Sequence, residues 1–169
     1  MPRLSLTSQI KVDRLHADRQ TRYQFVASDA ECDELAQRFG FVAVSGLAAD
    51  LYIVKSARDC WDVRGRLSAS VVQACGVTGD PVPETVDFLI EERYVRSAGD
   101  PAEVEVRLDD AEPLQDGAID IGEMLAQSLS LAVTSWPRAP HAPDILNADE
   151  SLSDHPFAGL AALKSRRSE

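Results

Sequence analysis

Residues 71 to 83, VVQACGVTGDPVP, carry an apolar run to a lone cysteine and then to two glycines, an aspartate and two prolines. Placed there, Cys75 is open to three readings: a nucleophile, half of a metal site, or the last buried residue before a turn. A metal site needs at least two ligands at short spacing, C-x-x-C or H-x-x-x-H, and Cys32, Cys60, Cys75 and the three histidines supply neither. A nucleophile needs a base held beside it, yet His16 falls in a polar turn and His141 and His155 fall in a Pro-rich tail. No nucleophile elbow or catalytic-cysteine signature surrounds any Ser or Cys. The carboxylate pairs Glu91/Glu92 and Asp109/Asp110 are strand neighbours that point to opposite faces and cannot share a proton. An enzyme would have to assemble a small hydrolase-like site from scattered residues, and no catalytic residue, cofactor or small-molecule substrate is expected.

Binding chemistry is more visible. In VRGRLSASV, Val63, Leu67, Ala69 and Val71 alternate with Arg64, Arg66, Ser68 and Ser70, the pattern of a strand with one wet face. Two guanidiniums and two hydroxyls in a row can meet phosphate or carboxylate, with Lys55 as a further cation. The plainer alternative is pairing of the arginines with acids such as Asp87 and Glu91 on the next strand. In TSWPRAP, Trp136 can anchor either a partner or the tail onto the body, and intramolecular anchoring is the simpler account.

The elements that must position these residues follow from periodicity. IKVDRL and TRYQFVAS read as short strands around a polar HADRQ. SDAECDELAQRFG sets Ser28 and Glu31 at capping-box spacing, puts Cys32, Leu35, Ala36 and Phe39 on one face and stops at Gly40. Alternating runs LYIVKSA, VRGRLSASV, ETVDFLIEERYV and EVEVRL follow, separated by turn signals. A second helix opens on Asp120, with Glu123 three residues on and an apolar face of Ile121, Met124, Leu125, Ser128, Leu129 and Ala132. The expected fold class is α+β: an antiparallel β-meander, flat or curled into a partly closed barrel, with two packed helices and an extended C-terminal tail. Residues 1–136 should form one domain, and 137–169 an extended, partly flexible tail with a short amphipathic end around Phe157, Leu160 and Leu163.

Charge narrows the partner. The chain carries −11, and fourteen acids against three bases between Asp80 and Glu123 account for all of it. That excess argues against a surface that grips phosphate backbones throughout. A basic protein suits an acidic body with basic arms, Arg3 to Arg22 and Lys164 to Arg167, better than a broad nucleic-acid groove does. The N-terminus lacks a signal-like apolar run and no stretch is long and apolar enough to span a membrane, so a cytoplasmic protein with reduced cysteines is expected.

Three segments in order, RLSASVVQACGVTGDPVPETVDFLIEERYV, GAIDIGEMLAQSLSLAVTSWPRAP and HPFAGLAALKSR, resemble the YceD family of large ribosomal RNA subunit accumulation proteins. The matching positions are Cys75, Thr78, Pro81 and Val82 at the turn, Asp120, Ile121 and Leu125 in the helix, Pro137 and Pro140 after it, and Pro156, Phe157, Leu160 and Leu163 near the end. The resemblance implies a cytoplasmic ribosome-biogenesis factor without established catalysis, whose partner is a basic ribosomal protein, large-subunit ribosomal RNA, or both. Other branches carry C-x-R-C at this turn, whereas this chain has QACGVTG. That departure argues against a metal or paired-thiol role, and against RNA contact by an arginine there. Cys75 is then most simply a buried, reduced residue at a strand end. A plain structural or oligomerising module is the third class of reading.

Overall fold

A computed structural model describes residues 3–16, 19–96 and 111–143 of the chain. The elements are β1 (Arg3–Leu4), β2 (Gln9–Lys11), β3 (Thr21–Val26), α1 (Asp29–Phe39), β4 (Ala43–Ala57), β5 (Cys60–Ala74), β6 (Pro81–Val95), β7 (Glu112–Pro113), β8 (Ala118–Asp120) and α2 (Ile121–Ala132). One compact unit runs Met1–Ala139, and Pro140–Glu169 forms a second.

The meander is β3-β4-β5-β6, antiparallel throughout, and the two-residue strands β1 and β7 pair parallel at its edges. Among the described residues the order β1-β3-β4-β5-β6-β7 leaves the sheet open, so the α+β class holds without a closed barrel. Three strands of 15 residues each make it tall. Alternation sets its faces: Val63, Leu67, Ala69 and Val71 of β5 are buried while Arg64, Arg66, Ser68 and Ser70 are exposed. A bulge between Ser45 and Ala48 resets the parity of β4, so that Val44 points inward before it and Leu47, Ala49, Leu51 and Ile53 after it.

Both helices cover the inward face. The reciprocal capping box forms as the spacing predicts, with Glu31 N–H donating to Ser28 Oγ (3.4 Å) and Ser28 N–H to Glu31 Oε2 (2.8 Å). Glu31 Oε1 also accepts the Leu6 N–H (2.8 Å), which ties the N-terminal turn to α1. α1 stops at Gly40 in the left-handed region, φ 70°. α2 is capped by Asp120, whose Oδ1 accepts the Glu123 N–H at 2.9 Å, and it packs on β5, β6 and β2. The core joins Phe25, Leu35, Leu51, Leu67, Ile90, Leu125 and Leu129, each about 1.5–3 kcal/mol of favourable burial. Cys32 is buried in that core, as its helix position predicts.

Several expectations are corrected. IKVDRL is a strand only through Lys11: Val12–Arg14 is a 3-10 turn, because β8 offers three residues of pairing and Val12 then turns into the core. Pro81 and Val82 lie in β6, paired with Ala74 and Gln73, rather than in the turn. Among the described residues no strand flanks β6 beside Pro81 and Pro83, an edge that tolerates their missing N–H groups. EVEVRL lies outside the described residues. No described helix is long and apolar enough to cross a membrane.

Candidate binding surface

The face of the sheet away from the helices carries Arg22 and Gln24 of β3, Asp50 and Tyr52 of β4, Asp62, Arg64, Arg66, Ser68 and Ser70 of β5, and Asp87, Glu91 and Arg93 of β6. The predicted row is therefore intact on β5. Of its two arginines, Arg66 is not a free cation. Arg66 grips Asp87 through both Nε and a terminal nitrogen, a diagonal pair in which Asp87 stands opposite Ser68. Arg22 donates to Asp50 (2.8 Å) with Gln24 alongside (3.0 Å), and Arg93 Nε donates to Asp62 (2.8 Å). Each hydrogen-bonded arginine holds its carboxyl, Asp50, Asp62 or Asp87, below the usual carboxylate range. Arg64 sits between Tyr52 and Glu91 and makes no ion pair among the described residues. A shallow cavity of about 510 Å³ crosses this face over Ala48 and Ser68, with Asp50, Arg66, Thr85 and Asp87 among its walls.

Lys55 does not join the row. It is paired with Trp61, whose side chain is buried with the core, and its Nζ lies 5.5 Å from the indole centroid while Arg96 lies 5.6 Å from it. Strand parity thus puts Lys55 on the helix side of the sheet.

At the opposite end, the β5–β6 turn is more than a bend. Gly79 N–H donates to Cys75 O (2.9 Å) and Cys75 N–H to Asp80 O (2.7 Å). Cys75 is buried, as its position predicts. The sequence gives no hint of what surrounds its sulfur: the Thr78 hydroxyl foremost, then the Ala139 N–H (3.3 Å) and the Thr78 N–H (3.5 Å), with that of Val77 adding to them. These donors lower the thiol to about 6.

The same turn holds the chain that leaves α2. Glu84 of β6 accepts from the Thr134 N–H (3.0 Å) and Thr134 Oγ1 (2.8 Å), and Gln73 Nε2 donates to Thr134 O (3.0 Å). Gly76 N–H donates to Pro137 O (2.9 Å), and Ala139 is buried. Residues 134–139 are fastened by their backbone, while Trp136 stays 81% exposed. The indole, with one edge near Gly76 and most of its surface in water, is not the main intramolecular anchor that its setting in TSWPRAP suggests.

Among the remaining predicted positions, Asp120 caps α2, Leu125 and Ile121 are fully buried core, and Pro140 begins the second unit. Pro156, Phe157, Leu160 and Leu163 lie outside the described residues, as do Asp100, Glu103, Glu105, Asp109 and Asp110 of the acidic stretch. Of the acids described there, Glu92 and Glu112 flank Tyr94; burial, and then the charge of Glu112, push Glu92 up. Burial and the charges of Glu92, Glu112 and Asp120 likewise push the Tyr94 hydroxyl up.

A family model described as large ribosomal RNA subunit accumulation protein YceD matches residues 63–164, from within β5 through α2 and beyond. No curated protein and no solved structure matches the chain.

Proposed function

Because this chain belongs to the YceD family of large ribosomal RNA subunit accumulation proteins, we propose that it is a cytoplasmic ribosome-biogenesis factor that acts by binding, without chemistry of its own. The family name gives the coarse role, accumulation of large-subunit ribosomal RNA. Within it, the direct partner is a basic ribosomal protein. The observation that carries this choice is the open sheet face, where Arg22, Arg66 and Arg93 are each spent on a carboxylate. Three of the four arginines on a face that would otherwise attract phosphate are neutralised in place, Arg64 being the exception among the described residues, and the chain as a whole carries −11. Phosphate backbones are repelled by that field, and a lysine- and arginine-rich protein is drawn to it.

RNA contact remains the second reading, favoured by Arg64, which has no ion pair among the described residues and stands across from Tyr52, an aromatic ring with Arg22 at 5.7 Å, on the sheet face that no described helix covers. The test is a pull-down with the purified chain from ribosome-depleted extract, split into nuclease-treated and untreated halves, with bound RNA and protein both identified. An identified basic large-subunit protein retained after nuclease treatment supports the adapter. Retention of ribosomal RNA alone, lost with nuclease and weakened by Arg64→Ala, overturns it.

A further inference from the structure

Trp136 is left 81% exposed, although the chain on both sides of it is held. Thr134 is gripped at its N–H by Glu84 and at its carbonyl by Gln73, the Pro137 carbonyl accepts from Gly76, and the Ala139 N–H points at the Cys75 sulfur. Four contacts from β5, β6 and their turn thus fix six residues of backbone. A large ring in water exposes apolar surface at a cost, and a mobile loop would let it fold back against the body. Here the backbone has lost its freedom with the indole still facing out, so a partner that covers it gives up little further chain entropy. Leu131, on the last turn of α2, is also exposed, at 78%.

The other tryptophan shows what an indole does in this chain when cations are near. Trp61 has Lys55 and Arg96 within 6 Å of its ring, at 5.5 and 5.6 Å. Among the described residues no cation lies over Trp136. We propose that the strap of residues 134–139 is the anchor of a protein-docking surface, with Trp136 as the side chain that a basic protein covers. The charge selects this occupant: at −11 the chain attracts lysine and arginine, whose side chains stack on an indole face, and repels the backbone of a nucleic acid. This assignment rests on the adapter reading above and places its contact beside the start of the acidic stretch, where Glu84 holds Thr134.

The experiment uses the full chain as wild type, Trp136→Ala and Trp136→Phe. The probes are the individual basic proteins released from purified large ribosomal subunits by high salt, with Kd as one readout. Acrylamide quenching of tryptophan fluorescence is the second, because Trp61 is 3% exposed and the quenchable emission therefore reports Trp136. The expected result is binding of one such protein, protection of Trp136 in the complex, and a Kd raised on the order of tenfold or more by Trp136→Ala, with Phe retaining most of the affinity. The free variants should unfold at the wild-type denaturant concentration, since the ring is exposed. Equal binding by wild type and Trp136→Ala overturns the anchor and leaves the adapter reading standing. Binding of ribosomal RNA in place of any protein overturns both.

Discussion

Replacing Gly122 by alanine tests how α2 is seated. Gly122 is the second residue of the helix, and helix propensity alone favours alanine there by about 1 kcal/mol. Tertiary geometry reverses the sign. A Cβ at this position would stand 1.6 Å from the Leu6 carbonyl oxygen and 2.3 Å from its carbon. The obstacle is backbone, and it is tethered: Leu6 N–H donates to Glu31, Ser8 N–H to Ser5 O (3.0 Å), and Ile121 N–H to Ser8 O (3.1 Å). Moving the turn away sacrifices one or two of these bonds, at about 0.5–1.5 kcal/mol each, and overpacking adds about 1–3 kcal/mol. After subtracting the propensity gain, the middle of these ranges puts the cost of Gly122→Ala at about 3 kcal/mol. With a urea m-value of about 2 kcal/mol/M, the midpoint should fall by about 1–2 M. Leu131→Ala on the exposed side of the same helix is the reference and should barely move it. A Gly122→Ala midpoint equal to or above wild type would refute the close seating of the Leu6 turn on α2.

The Cys75 thiolate and the α2 cap give two further tests. The ultraviolet thiolate signal that Cys75→Ser removes should titrate near pH 6. The unfolded chain carries a thiol of ordinary acidity, so the stabilisation from the thiolate is full above about pH 8.5 and is lost as the pH falls through the folded value near 6. The stability gap between wild type and Cys75→Ser should narrow over that window, and titration at ordinary thiol pH would sink the account. Asp120→Ala removes the acceptor for the Glu123 N–H and should cost about 1 kcal/mol in urea unfolding, whereas Asp120→Asn, which keeps an oxygen there, should cost far less.

What the sequence by itself determined is local or periodic. The alternation in VRGRLSASV assigned Arg64, Arg66, Ser68 and Ser70 to one wet face because successive side chains on a strand must oppose each other. Ser28 and Glu31 marked the start of α1, and Asp120 the start of α2, because caps act within one turn of chain. Order and spacing of three segments sufficed for the family. Tertiary structure decided what depends on register between distant residues. Arg66 meets Asp87 only because β5 and β6 pair Ser68 with Asp87, and a shift of one residue would turn one of those side chains to the other face. Lys55 sits against Trp61 because the β4–β5 pairing puts the two residues opposite each other, which no single-strand pattern reports. The Cys75 sulfur gains, beside the local donors of Thr78, the Ala139 N–H from 64 residues on, and Trp136 was left outward with Glu84, Gln73 and Gly76 holding the backbone around it. Hydrogen bonds between segments so far apart leave no periodic trace in the chain, since each partner's residue type is also acceptable as an ordinary strand or turn residue.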